Sequence, residues 1–465
     1  MPLWTAQEMA EAMNAEMTNC QNIEIDDISI DSRTLTKGAA YFAIQGVSQD
    51  GHLYVDNAFE HGAHIAVIAK EKIEEFAGKN HPLLIVDDVL FALEQLGRAA
   101  RERCSGKIIA ITGSAGKTST KEMMRAVYAN IGKTHASLAS LNNHWGVPLT
   151  LARMPRDTEF GIFEIGMNHK NEITPLVAMV RPHIACVTTV GAAHAGHFTS
   201  VEEIAEAKAE IFSGLEDEGI ALLPIENDYY SILQQYAGQD AHKCLSFGAQ
   251  KGDITFTKEE IDGGRAHLSF SYKQANYPIN LKTSGQHMFS NAACVFASLV
   301  ASGNISEKAL KGFDNFDPGQ GRGALDIITL SPEVKITLLD ESYNANPISM
   351  AATLLSLSEI KKDEEARHVA ILGDMLELGE QSQSYHEQLA EQILDLKINP
   401  VFLVGPEMQA LYEKLKPHKD VHWTQLSGDI IPHILKKLHN NDCVLVKGSL
   451  GIRMKTVIDA LKENQ

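Results

Sequence analysis

The sequence predicts an α/β protein of three domains, and three observations carry that prediction. Its 465 residues, at roughly 150 per domain, suggest three separate cores. Residues 108–120 read Ile-Ile-Ala-Ile-Thr-Gly-Ser-Ala-Gly-Lys-Thr-Ser-Thr, an apolar run that turns through glycines into a hydroxyl-rich helix start. Beyond residue 323, strand candidates at 335–340, 368–372, 400–404 and 443–447 each precede a helical stretch, the alternation of a doubly wound parallel sheet. The predicted domains are 1–86, 87–316 and 317–465. The last boundary falls in the Gly/Asp/Pro cluster at 312–323.

The elements follow in chain order. Up to residue 86 the pattern is one of short strands and helices, with Ile-Asp-Ser-Arg at 30–33 and Asp50-Gly51-His52 between them. Residues 88–104 read as a helix leading into the glycine loop. The middle third supplies apolar strand candidates at 161–165, 183–190 and 219–223, and residues 252–283 alternate like antiparallel strands. In doubly wound sheets ligands sit beyond the carboxyl ends of the strands. Asp340, Asp374, Gly405 and Lys447 fall at those ends, which predicts a shared cleft.

Composition narrows the class. Hydrophobic content of 44% with 22% charged residues is ordinary for a globular protein. A net charge of −19 opposes a general role on nucleic acid or an anionic membrane, and it obliges any anionic ligand to be held by local cations. Six cysteines (20, 104, 186, 244, 294 and 443) contain no Cys-x-x-Cys pair, the pattern of reduced thiols in a cytoplasmic protein. The N-terminus lacks the pattern of a secretory signal, and no apolar run is long enough to span a bilayer.

Gly113-Ser114-Ala115-Gly116-Lys117-Thr118-Ser119 is the strongest chemical signal. A strand turning through glycines into a helix start aims free N–H groups and a positive dipole end at one spot, which binds phosphate. In the commoner Gly-x-x-x-x-Gly-Lys-[Ser/Thr] form a further glycine precedes, and Ile111 takes its place here. Thr118 is the hydroxyl expected beside a nucleotide-bound Mg²⁺. Glu164 closes an apolar strand, where a carboxylate is costly unless paired or metal-bound. His194 and His197 have a spacing that suggests zinc, but no third ligand lies nearby. Residues 200–215 open with a Ser-x-x-Glu capping box and read as a helix. Lys208 falls on its apolar stripe, where burial would lower the amine's pKa; a snorkelling stem is the alternative.

With these residues in view, the chain resembles the Mur ligases, ATP-dependent amide-bond ligases of peptidoglycan precursor synthesis. The likeness spans nearly the whole chain. The loop at 112–119 looks like the family's shortened phosphate loop. Leu141-Asn-Asn-His-Trp-Gly-Val-Pro148, Glu164-Ile-Gly-Met-Asn168, Asp340-Glu-Ser-Tyr-Asn-Ala-Asn-Pro347 and Leu372-Gly-Asp-Met-Leu-Glu-Leu-Gly379 point to the branch that adds D-Ala-D-Ala. Branches that add another amino acid and folylpolyglutamate synthetases stay open as alternatives, as does a nucleotide-binding regulatory module without ligase chemistry.

The resemblance implies a small α/β substrate domain, a central P-loop ATPase-like sheet and a C-terminal Rossmann-like domain. It also implies ATP and Mg²⁺ as cofactors, with UDP-N-acetylmuramoyl-tripeptide and D-Ala-D-Ala as substrates. A cytoplasmic monomer with no nucleic-acid partner and no membrane insertion is expected. By the same resemblance residues 113–119 hold ATP phosphates, Lys117 and His194 act in catalysis, and Thr118, Glu164 and His194 bind metal. Lys208 matches a lysine that members carbamylate to make a metal ligand. His287 and Asn291 look like the adenine side, Arg322 and Asp340 like nucleotide contacts of the third domain, Asp340 on the ribose. Ser32 and Arg33 fit the UDP end, and Asn142, Asn143, Asn344 and Asn346 fit substrate contacts. This chain has Ala139-Ser140 where members often have Gly-Asn, and Leu450 where many have Arg.

Overall fold

A computed structural model describes residues 1–463 apart from 48, 194, 263–264, 284 and 361–365. Three large sheets organise these residues. The first has five strands in the order Glu16–Thr18, Leu83–Val86, Ile65–Ala69, Ala39–Phe42 and Asp27–Ser29. All its pairings are parallel except the one that Glu16–Thr18 makes at the edge. The helix Val89–Glu102 starts on Asp88, whose carboxylate accepts the Phe91 N–H, close to the predicted 88–104. Its buried face packs Leu93 and Leu96 against Trp4, Ile25 and Phe42 on one side and Leu149 and Ala152 on the other.

The second sheet has nine strands, and its middle positions the site. Lys107–Thr112 lies between Phe160–Glu164 and Ile184–Val187, parallel to both. The chain leaves Lys107–Thr112 toward one side and later returns to the other, so loops splay apart at its carboxyl end. That is where a crevice opens in a doubly wound sheet. Ile254–Asp262, Arg265–Tyr272 and Ala275–Leu281 extend the sheet as the expected antiparallel meander. Phe270 stacks on Phe296 of the helix Gln286–Ser302, with ring centroids 4.8 Å apart, which fastens that helix across the sheet.

The third sheet orders Ala324–Ser331, Val334–Glu341, Cys443–Lys447, His368–Gly373, Val401–Val404 and Val421–Thr424. The four strands predicted here are all present within a residue or two. The hairpin strand Ala324–Ser331 and the edge strand Val421–Thr424 were not foreseen. Neither is fully buried, so neither carries an unbroken apolar run.

The helix expected at 200–215 is α-helical over Val201–Ala209 and tightens to a 3₁₀ turn over Glu210–Gly214. Only half of its capping box forms. Ser200 accepts the Glu203 N–H, while the Glu203 carboxylate turns outward to the N–H and hydroxyl of Thr199. All six cysteines are free, and Cys244 is only partly buried. Among the described residues no helix is long and apolar enough to cross a membrane.

Candidate active site

The crevice at the carboxyl end of Lys107–Thr112 is a cavity of about 700 Å³, walled by the second and third sheets. Gly113 and Gly116 shape its floor. Gly113 has φ +153°, and a Cβ on it would fall 1.9 Å from the Thr188 hydroxyl. Gly116 has φ +80°, and a Cβ there would lie 2.5 Å from Asn291 Oδ1. The sequence requires glycine at both places because no side chain fits.

The loop is braced from below. Ser114 Oγ donates to the Gly191 carbonyl at 2.9 Å and accepts the Gly191 N–H at 3.0 Å. Thr188 Oγ1 donates to the Ala115 carbonyl. The helix Lys117–Ala129 then begins directly on the loop and turns its first N–H groups toward the cavity.

Lys117 Nζ donates to the Gly113 carbonyl at 2.7 Å. Burial lowers its pKa and nearby Arg322 adds to the effect, while Glu164 opposes it. Glu164 is buried, and its Oε1 accepts from Asn142 Nδ2 at 2.7 Å. Its Oε2 is buried with no hydrogen-bond partner. An orphaned carboxylate oxygen on a cavity that Thr118 also lines fits a divalent cation. Among the described residues no group of three His, Cys, Asp or Glu comes together. One carboxylate oxygen and one hydroxyl suit Mg²⁺, which keeps waters and phosphate oxygens as its other ligands. His194 lies outside the described residues.

Lys208 is 2% exposed on the apolar side of its helix, so it does not snorkel. Burial, with the charge on Lys117 second, pushes its amine well below the ordinary lysine value. It stands behind the cavity wall rather than on it.

The third sheet contributes the facing wall. Arg322, Tyr343, Asn344, Asn346 and Lys447 line the cavity together with His287, Asn291, Ser119 and Ala115. The Arg322 guanidinium lies 3.9 Å from the centroid of the Tyr343 ring, and Tyr343 OH is 3.1 Å from Ser140 Oγ. Asn346 caps the helix Pro347–Glu359 in a reciprocal box with Ser349. Its Nδ2 crosses to the other sheet and donates to the Ser114 carbonyl at 3.0 Å. Asn346→Ala should cost about 1 kcal/mol from the lost cap and raise the KM for ATP, measured by calorimetry and steady-state kinetics.

Several predicted residues turn away from the cavity. Asp340 is buried behind the wall, where Oδ2 accepts the Gly321 N–H and Oδ1 accepts the N–H and hydroxyl of Ser342. Its carboxylate shapes the Arg322 turn instead of facing a ribose. Asp374 is spent on the N–H groups of Glu407 and Met408, and a Cβ on Gly405 would collide with it. The shared cleft of strand ends therefore reduces to Lys447 and the neighbour of Asp340. Asn143 Oδ1 caps the turn at Trp145 and Gly146 and does not line the cavity.

Glu341 was missed. Alternate strand residues face opposite sides, so Asp340 inside places Glu341 on the cavity. Its Oε2 receives Lys447 Nζ at 3.4 Å, and Oε1 lies 3.5 Å from His287 Nε2. Burial alone would raise this carboxyl, but Lys447 and His287 outweigh it and hold it at about 2, against an ordinary 4.5. Because the folded value is depressed, Glu341 stabilises the fold above pH 4.5 and loses that contribution as pH falls toward 2. Glu341→Gln should flatten the acid limb of a melting-temperature profile across that window.

A second cavity of about 600 Å³ lies on the first sheet, lined by Ser32, Arg33, Tyr41, Trp145 and Arg153 among others. Ser32 is buried, whereas Arg33 is exposed and paired with Asp31 at 2.7 Å. Leu141 and Trp145 border this cavity while Ser140 and Asn142 border the first. One short segment thus forms part of both walls.

Three family models match the chain in order. Residues 24–102 match the catalytic domain of the Mur ligase family, 111–299 the Mur ligase middle domain, and 329–450 the Mur ligase glutamate ligase domain. A UDP-N-acetylmuramoyl-tripeptide–D-alanyl-D-alanine ligase of Rickettsia prowazekii is 31% identical over 459 residues, covering 98% of this chain and 99% of that protein. The Escherichia coli ligase of the same name is 30% identical over 461 residues, covering 99% and 98%. The crystal structure of MurF from Acinetobacter baumannii superposes with a TM-score of 0.86 at 29% identity, covering 99% of each chain. The chain belongs to the Mur ligase family.

Proposed function

We propose that this chain joins D-Ala-D-Ala to the terminal carboxylate of a UDP-N-acetylmuramoyl-tripeptide, using ATP and releasing ADP and phosphate, in peptidoglycan precursor synthesis. The observation that carries this reading is the likeness over almost the full chain to ligases of that name, spanning both walls of the cavity. The working unit is a cytoplasmic monomer of three domains, 1–86, 87–316 and 317–465, acting on small molecules.

The chemistry must bring two anions together, so the protein's task is neutralisation and alignment. Lys117 and the backbone N–H groups of residues 113–119 hold the β- and γ-phosphates of ATP, with Lys117 released from the Gly113 carbonyl. Arg322 approaches the phosphates from the facing wall, held flat by Tyr343. His287 and Asn291 border the adenine end. Asp340 keeps the turn that carries Arg322.

Thr118 and Glu164 would hold one Mg²⁺, and His194 with a carbamylated Lys208 would hold a second. When bound, Mg²⁺ supplies positive charge at the phosphate oxygens. A neutral Lys208 amine would add to CO₂, forming one N–C bond as one C=O π bond opens onto its oxygen and passing one proton to solvent, which would turn a buried base into a carboxylate-like ligand.

The peptide carboxylate attacks the γ-phosphorus as ADP leaves, giving an acyl phosphate. The amine of D-Ala-D-Ala then adds to the acyl carbon, and the tetrahedral intermediate expels phosphate. Ser32 and Arg33 hold the UDP end in the second cavity, and residues 140–145 run between that end and the reacting one. Asn142 steadies Glu164, Asn143 fixes the turn, and Asn344 and Asn346 stand on the dipeptide side.

The test is ATP-dependent phosphate release with UDP-muramoyl-tripeptides carrying diaminopimelate or lysine, and with D-Ala-D-Ala, D-Glu or diaminopimelate as amine. Release with D-Ala-D-Ala is the expected result. Release with another amine and none with D-Ala-D-Ala would overturn the reading.

A further inference from the structure

Lys121 has no part in the mechanism above, yet it is 0% exposed, one turn along the helix that starts at Lys117. Its ammonium has three donors. Nζ lies 2.7 Å from the Ser137 carbonyl, 2.8 Å from the Ala139 carbonyl and 2.7 Å from Glu122 Oε1. A buried charge with every donor engaged is tolerated, but an apolar residue would fill the same space without desolvating an ion. The charge therefore has work beyond packing.

That work is at residues 137–142. Ala139 there has φ +47°, a left-handed conformation that alanine rarely adopts unless its surroundings hold it. Both carbonyls gripped by Lys121 belong to this bend. From it, Ser137 Oγ accepts the Glu164 N–H, Asn142 Nδ2 holds the Glu164 carboxylate, and Ser140 Oγ meets Tyr343 OH across the cavity. Tyr343 in turn carries Arg322.

We propose that Lys121 is a positioning residue whose ammonium fixes the 137–142 bend, and through it aligns Glu164 on one wall of the ATP cavity with Tyr343 and Arg322 on the other. This rests on the ligase reading, and turnover by the unaltered enzyme tests that reading separately. Lys121→Ala should lower kcat by about tenfold or more and leave a hole lined by two carbonyls and a carboxylate. Ethylammonium should enter that hole and restore turnover saturably, whereas tetramethylammonium, with no N–H to donate, should not.

A kcat within about twofold of the unaltered enzyme overturns the proposal. So does a loss that ethylammonium fails to restore in a protein with normal circular dichroism. Should Lys121→Ala not fold, Lys121→Met decides by filling the same volume. A lowered kcat with a near-normal melting temperature supports the positioning role. Unchanged kcat, or failure of this variant to fold as well, overturns it.

Discussion

Lys208→Ala should abolish turnover while leaving the fold intact. Lys208 is buried among apolar neighbours, where burial and the Lys117 charge hold its amine well below the ordinary lysine value. Such an amine contributes little as a cation. Its value lies in being nucleophilic and sheltered, the condition under which CO₂ adds to it. If Lys208 is carbamylated as proposed, its loss would strip a ligand from the proposed second cation site, and kcat should fall by on the order of a thousandfold, the scale of losing one preorganised charge contact. Truncating so buried a stem leaves a cavity that lowers the melting temperature somewhat, so kcat is compared in protein with normal circular dichroism. Acetate or formate should restore part of the activity by occupying the vacated space. Near-normal kcat in Lys208→Ala, measured by phosphate release, would show that no ligand is made from this residue.

Lys117→Met should be nearly as damaging, for a different reason. The chain carries a net charge of −19, so the phosphates of ATP and the peptide carboxylate enter against the overall field. The opposing charge is local, with Lys117, Arg322 and Lys447 on the cavity wall. Of these, Lys447 is committed to Glu341 and the Asn344 carbonyl, which leaves Lys117 and Arg322 to face the phosphates. Methionine keeps the length and loses the charge. We expect kcat lower by about a hundredfold to a thousandfold, with ATP binding weakened less because the loop N–H groups remain. Isothermal titration with ADP alongside steady-state kinetics separates the two effects. Lost affinity with kcat unchanged would mean that Lys117 binds the ground state and the transition state alike.

The fold class and the phosphate loop were legible because each writes a local pattern. Buried parallel strands are runs of apolar residues, and a loop that must admit phosphate excludes side chains at Gly113 and Gly116. Lys208 was half legible from helical period, since an apolar stripe at 201, 204, 211, 212 and 215 carries position 208 with it but fits a snorkelling stem as well as a buried amine. Carboxylates were harder to place. Asp340, Asp374 and, likewise, the amide of Asn143 stand where a ligand contact is expected, yet each is consumed by backbone N–H groups: of Gly321 and Met408, far along the chain, for the two acids, and of Gly146 for Asn143. Short polar side chains at strand ends serve such turns readily, and no spacing rule separates that use from ligand binding. Glu341 escaped notice because which of two adjacent acids faces inward depends on strand register. Lys121 gave no signal, because two of its three partners are carbonyls whose positions only the folded bend defines.

The bond from Asn346 to the Ser114 carbonyl couples the phosphate loop to the facing wall of the cavity. It ties the start of a helix in one lobe to the loop that grips phosphate in the other. Any ligand that favours one arrangement of that loop must also favour one apposition of the lobes, and the coupling free energy is the same in either direction. Nucleotide held on the near lobe would then bias the apposition of the lobes through this amide, together with the Ser140–Tyr343 and His287–Glu341 contacts that also join them.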